Sequence, residues 1–208
     1  MDFVNRYLKN VKKIAKKLAA DSKSIRDIVC LIEKTKFKEG RLFIIGVGGG
    51  AGHASHAVND FRKIAGIEAY SPSDNVSELT ARINDEGWDS CYSEWLKMSK
   101  LSSKDMLLIF SVGGGNKEFE LSLNIVGALN LAKSLGCSIA GIVGRDGGET
   151  AKLANCCVIV PQVDNSLTTA LTESYQAVIW HLIVSHPKLC PASMMWESVE
   201  RKTQGTAL

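Results

Sequence analysis

The stretch Arg41-Leu-Phe-Ile-Ile45, Gly46-Val-Gly-Gly-Gly50, Ala51-Gly-His-Ala-Ser-His-Ala-Val-Asn-Asp-Phe61 decides how the chain is read. It passes from a short apolar run through a glycine cluster into a segment of helical character, the order strand, glycine loop, helix. The same order recurs downstream. Asp105-Met-Leu-Leu-Ile-Phe-Ser-Val112 is a second apolar run, Gly113-Gly-Gly-Asn116 a second loop, and a helix is expected from Lys117 to Leu135. A third strand is expected over Ser138–Val143, followed by Gly144-Arg-Asp-Gly-Gly148 and a short helix, and a fourth over Cys156–Val160, stopped by Pro161. The last long helix, Thr169 to Ser185, ends before Pro187, where a proline ring cannot continue it. Between the first two strands lie a short strand candidate, Ile67 to Tyr70, and helical stretches near Asn75–Arg82 and Asp89–Met98. Fully apolar strands alternating with helices predict an α/β architecture, a doubly wound parallel sheet flanked by helices in a flavodoxin-like three-layer sandwich. Ligands of such sheets sit beyond the carboxyl ends of the strands, where both triglycine loops fall.

Outward from this core, Phe3, Val4, Tyr7, Leu8, Val11, Ile14, Ala15 and Leu18 recur at helical spacing with five lysines on the remaining surface. The face fits packing on the domain or on a second subunit; a lysine-rich helix of this kind also suits a membrane surface. A second helix is expected from Ser24 to Lys34. The 208 residues suit about one domain, divided as a helical extension (1–38), an α/β core (39–187) and a C-terminal tail (188–208) carrying Met194-Met-Trp196. With 25 basic and 22 acidic side chains the net charge is +3, and no basic stripe is interleaved with aromatics, so nucleic acid is not the expected partner. No run approaches a signal-peptide core or a membrane span, which points to the cytoplasm. Six cysteines without a CxxC spacing read as small buried hydrophobes rather than zinc ligands or disulfide staples.

Backbone amides of a glycine loop opening onto a helix N-terminus attract anions, and two such loops point to a phosphorylated ligand. Gly46-x-Gly48-x-x-Ala51 also satisfies a dinucleotide fingerprint, with Glu68 about 20 residues on as a ribose-binding acid, so a dehydrogenase stays open. A dinucleotide site has no use for the second loop, which a small phosphate ester held between two strands would employ. No Walker A sequence is present. His56 and Asp60 stand four apart on one helix face. Glu173 and His181, eight apart, differ by about 80° around the last helix, so both can reach one cleft. Two imidazoles and two carboxylates suit a divalent metal or a general acid/base pair.

Gly46-Val-Gly-Gly-Gly-Ala-Gly-His-Ala-Ser-His56, Asn84-Asp85-Glu-Gly-Trp88, Ser111-Val-Gly-Gly-Gly115, Gly144-Arg-Asp-Gly-Gly148 and Glu173 to His181, in this order, resemble the sugar isomerase (SIS) domain family, and within it the phosphoheptose isomerases. The resemblance implies a phosphosugar aldose–ketose isomerase, taking sedoheptulose 7-phosphate to D-glycero-D-manno-heptose 7-phosphate through an enediol for activated-heptose and surface-polysaccharide synthesis. It implies zinc on His56, Asp60, Glu173 and His181, no nucleotide cofactor, and substrate contacts from Val47, Gly48, Gly49, Asn84, Asp85 and Ser111. Gly113, Asn116, Ser122 and Glu173 join the substrate-binding candidates, with Asp60 as base and His181 as proton shuttle. A homotetramer with sites at subunit boundaries is a further implication. Departures stand beside these: Val47 and Gly50 replace the usual Asn and Ser, Asp60 a longer Glu, Glu173 a Gln, and glycines the serine and threonine that normally hold phosphate. A non-catalytic sugar-phosphate-binding module and an isomerase of another ketose phosphate remain the alternatives.

Overall fold

The computed structural model describes residues 2–190. Five parallel strands form the sheet: β1 (Leu42–Gly46), β2 (Ala69–Tyr70), β3 (Met106–Ser111), β4 (Ser138–Val143) and β5 (Cys156–Ile159), in the order β2-β1-β3-β4-β5. Pairing of Leu42 with Met106 through Gly46 with Phe110 brings the carboxyl ends of β1 and β3 side by side. The chain leaves these two strands in opposite directions, so the crevice between them is the switch point.

Among the described residues, eight helices accompany the sheet: α1 (Phe3–Ala20), α2 (Lys23–Phe37), α3 (Gly49–Lys63), α4 (Val76–Glu86), α5 (Cys91–Met98), α6 (Leu123–Ser134), α7 (Gly148–Leu153) and α8 (Thr168–Val184). Because successive strand side chains point to opposite faces, Leu42, Ile44, Leu108 and Phe110 pack against α2, α3 and α8, while Phe43, Ile45, Leu107 and Ile109 pack against α5 and α6. The strands β1 and β3 are buried at every position, which is why they carry no polar alternation. α1 lays Ile14 into the first of these cores and leaves Phe3, Val4 and Leu8 exposed. No described helix is long and apolar enough to cross a membrane. Cys91 and Cys137 are buried and Cys30, Cys156 and Cys157 partly so, and burial pushes the thiols of Cys137, Cys156 and Cys157 up to about 12.

At the amino ends of the strands, buried Asp105 accepts from the Arg41 amide and from Arg41 Nε and Nη2, and from the Ser102 amide and hydroxyl. Burial works to raise the Asp105 carboxyl, and these donors outweigh it and hold it below its ordinary value.

One expectation needs correction. The helix predicted from Lys117 begins only at Leu123. Asn116 and Leu121 exchange backbone hydrogen bonds, the Asn116 side chain accepts from the Phe119 amide, and Glu120 and Ser122 take positive φ, so 116–122 closes as a turn before the helix starts. The polar, charged run Lys117–Glu120 looks helical by composition, but a left-handed Ser122 cannot continue a right-handed helix. The tail residues from Met194 to Trp196 lie outside the described residues.

Candidate active site at the carboxyl ends of two strands

The first glycine loop turns tightly into α3. Gly48 has φ +58°, a left-handed conformation open to glycine, and caps the helix. Gly46 and Gly50 lie so close that a Cβ on Gly50 would come within 2.5 Å of the Phe110 carbonyl oxygen, so the first turn of α3 rides directly on the ends of β1 and β3. Buried Tyr92 of α5 donates its hydroxyl to the Gly46 carbonyl at 2.6 Å. Its burial raises the phenol to about 12, so it stays a donor. Val47 turns its side chain into the core on the α5 and α6 face, leaving only its backbone for a ligand.

Along α3, His56 and Asp60 come one turn apart, and α8 brings His181 to meet them. Asp60 Oδ2 lies 3.8 Å from His56 Nε2 and 3.9 Å from His181 Nε2, and the donor atoms of the three residues lie within 4.8 Å of one another. Asp60 Oδ1 is held by the Asn59 side-chain amide at 2.9 Å. Buried Trp180 sets both rings, stacked on His181 and edge-on to His56. His181 Nδ1 sits 2.7 Å from the Ala177 carbonyl, which can only accept, so Nδ1 carries a proton and Nε2 is aimed at Asp60.

This donor chemistry fits a zinc ion. A tetrahedral ion at about 2.0–2.2 Å from each ligand holds its donors roughly 3.3 Å apart, within small torsional adjustment of the cluster. Metal-bound histidines also commonly donate their other N–H to a carbonyl, as His181 does. Three protein ligands leave a fourth position open, the arrangement of catalytic rather than structural zinc.

Glu173 does not join this cluster. Eight residues correspond to about 12 Å along α8, and the carboxylate is instead seated on the first loop, where a Cβ on Gly49 would come within 2.5 Å of Glu173 Oε2. Asn84 and Asp85 stand exposed in the last turn of α4, where Asn84 donates to Asp85, and share no hydrogen bond or ion pair with His56, Asp60 or His181.

The second loop behaves differently from the first. The hydroxyl of buried Ser111 accepts from the Gly114 amide, so this serine braces the loop from inside. The loop opens beside a cavity of about 680 Å³ lined by Gly113, Gly115, Asn116, Ser122, Arg145 and Thr169 among others. Such a volume is in the range of small-molecule sites. Its carbonyls, however, face α7: Gly114 O accepts from the Thr150 amide and hydroxyl, and Gly115 O from the Glu149 amide.

One residue was missed by sequence reasoning although it lies in the same motif. His53, one turn before His56, is half-buried, and burial together with the neighbouring His56 and His181 lowers its imidazole despite Glu173 nearby. Its spacing of three from His56 was the available signal. The dinucleotide alternative loses its geometry: Glu68 lies at the amino end of β2, its carbonyl paired with the Leu42 amide, about 13 Å by strand rise from the Gly46 end of β1.

Against known proteins, residues 6–144 match the family described as SIS domain. A lincomycin biosynthesis protein of Streptomyces lincolnensis, LmbN, is 32% identical over 68% of this chain, and the chain spans about half (54%) of that relative. The phosphoheptose isomerase of Helicobacter pylori strain P12 is 29% identical over 76% of this chain and 81% of its own. Among solved structures, a phosphoheptose isomerase from Francisella tularensis superposes with a TM-score of 0.77 at 18% identity, covering 88% of this chain and 97% of that one.

Proposed function

The chain belongs to the SIS domain family, and from that premise we propose that it is an aldose–ketose isomerase of the phosphoheptose isomerase type, acting on sedoheptulose 7-phosphate. The observation that carries the reading is the meeting of His56, Asp60 and His181 where α3 and α8 pack together. A module that only binds sugar phosphate has no use for a carboxylate aimed at two imidazoles.

Isomerisation through an enediol moves one proton between C1 and C2 and another between the two oxygens. Asp60 Oδ2 takes the proton from C1 of the ketose and returns it to C2. His181 Nε2, where it is not taken by a metal, passes a proton to the C2 oxygen and then receives the proton of the C1 hydroxyl. Its Nδ1–H remains on Ala177 throughout, so the ring keeps its orientation in both protonation states. His56, Asp60 and His181 would hold zinc, which when bound supplies Lewis-acid polarisation of the substrate carbonyl. Asp60 offers one open oxygen, since Oδ1 is engaged by Asn59, so Oδ2 serves either as ligand or as base. Activity abolished by a chelator and restored by zinc assigns Oδ2 to the metal; activity indifferent to chelation assigns it to the proton. Glu173, reaching from α8 to the first loop, is a substrate-contacting candidate apart from this cluster.

The substrate assignment is tested by following aldose formation from sedoheptulose 7-phosphate by proton NMR in deuterated water, where exchange at C2 reports the enediol. Turnover of a different ketose phosphate alone would move the assignment to that sugar. The exposed Phe3, Val4 and Leu8 face of α1 supports assembly of further copies, with a homotetramer as the expected mass in light scattering.

A further inference from the structure

Consecutive side chains on a helix leave its axis about 100° apart and do not face each other. Trp180 and His181 break this expectation: their rings are stacked, with centroids 3.4 Å apart and planes 28° from parallel. The imidazole lies back over the indole and is tied by Nδ1 to the Ala177 carbonyl one turn earlier. From α3, His56 meets the same indole edge-on at 4.8 Å and stands 5.4 Å from the His181 ring. One buried ring therefore supports two imidazoles that are themselves about half exposed, His56 at 58% and His181 at 49% of the side chain.

Keeping an indole there carries a cost. Trp180 is wholly buried, and its Nε1–H finds no acceptor among the described residues. Buried tryptophans usually pair this group, and leaving it unpaired is unfavourable. Phenylalanine or leucine would fill this part of the core without that loss. An indole retained under these conditions points to a use for its face, which among aromatic side chains best favours positive charge beside it. Half-exposed imidazoles with no platform under them would sample several rotamers, and each would have to be fixed when a metal binds. Ordering them in advance leaves that cost to folding.

We propose that Trp180 is a positioning residue: its indole is the platform that holds His56 and His181 in ligating geometry, and so sets the metal affinity of the cluster, while from its buried place it does not reach the substrate. The proposal rests on the reading that His56, Asp60 and His181 hold zinc, and on the isomerase reading only for its effect on turnover. Positive charge that a bound cation draws into the imidazoles meets the indole face, so the platform favours the loaded site as well as ordering the rings.

The test compares wild type, Trp180→Phe, Trp180→Met and, as a control for lost packing, Ile183→Ala, a buried position of α8 outside the cluster. Zinc binding to the full chain is measured by calorimetry, histidine ring protons by NMR without metal, and kinetics on sedoheptulose 7-phosphate at one fixed zinc concentration. In wild type the His181 ring protons, lying against the indole face, should resonate upfield of those of free histidine. Trp180→Met, a flexible filler of the same core, should return them to ordinary positions, weaken zinc about ten- to hundredfold and lower kcat with KM within about threefold. Trp180→Phe, which keeps a ring without the unpaired N–H, should recover most of the affinity. Ile183→Ala should melt lower than wild type yet bind zinc within about threefold of it. Zinc affinity unchanged in Trp180→Met, or lost equally in Ile183→Ala, overturns the proposal. So do His181 ring protons at ordinary positions in wild type, a result that needs no variant to fold. If zinc affinity depends on Trp180 while wild type does not turn over sedoheptulose 7-phosphate, the isomerase reading fails and the platform stands. If wild type binds no zinc, the metal reading fails, and the ring-proton shift with the fall in kcat decides the platform.

Discussion

The two glycine loops share a sequence pattern and a position at the end of a strand, yet they do different work. The first leads straight into α3, carries positive φ at Gly48 alone, and presents a helix with His53, His56 and Asp60 along it. The second carries positive φ at Gly114 and Gly115 and is clasped to Gly147 and Gly148, whose own glycines allow two backbones to touch. Its helix begins only after seven more residues. Glycine clusters therefore signal close backbone approach, and whether that serves a helix start or a loop-to-loop contact is settled by what lies across from them.

This contrast can be broken most forcefully on the chemical side. Asp60→Asn removes the carboxylate that α3 brings to His181 and is expected to lower kcat about 10²- to 10⁴-fold, roughly 3–5 kcal/mol of transition-state stabilisation, with little change in melting temperature. A variant retaining full kcat would remove Asp60 from the mechanism. Next in size is Gly114→Ala. Its Cβ would lie 1.9 Å from the Gly147 carbonyl oxygen at φ +71°, so a loss of about 3–4 kcal/mol in urea denaturation is expected. The matching change in the first loop, Gly48→Ala, meets nothing within 4 Å and costs only the left-handed strain, about 1 kcal/mol. Equal losses at the two positions would erase the distinction between the loops.

At the opposite end of the same strands, Asp105→Asn leaves Arg41 without its buried partner, and a loss of about 2–3 kcal/mol is expected, below the full range for buried pairs because Arg41 is a quarter exposed. The pH dependence follows from the direction of the shift. Asp105 binds its proton less readily folded than unfolded, so its contribution is full above the unfolded pKa, about 4, and is lost as pH falls through the lower folded value. The variant should show a shallower loss of stability below about pH 4 than wild type. Smaller than this is Tyr92→Phe, which leaves the Gly46 carbonyl without its buried donor; about 1–2 kcal/mol in stability is expected.

The strands were legible because burial on both faces demands unbroken apolar runs, and Ser138–Val143 was read to the residue. His56 and Asp60 could be paired from spacing alone, because four residues on a helix fix a shared face. Glu173 and His181 show the limit of that logic. An 80° separation allows a shared cleft, but the two-turn rise along α8 and the seat offered by Gly49 place the carboxylate elsewhere. Ser111 looked like a ligand contact and is engaged with the Gly114 amide. Nothing in the pattern joined Trp180 to His181, because consecutive side chains on a helix are expected to diverge.

By itself, then, the sequence determined the alternation of strands and helices, the parallel sheet and the placing of both glycine loops at the carboxyl ends of its strands. These follow from side-chain periodicity and turn residues, which act over one or two turns of chain. Only the tertiary structure decided which peptide groups of each loop are spent on neighbouring backbone, and which of four titratable residues actually meet. Those outcomes depend on segments a hundred or more residues apart coming within a few ångströms, as His56 and His181 do around Asp60. A local pattern carries no record of such distances.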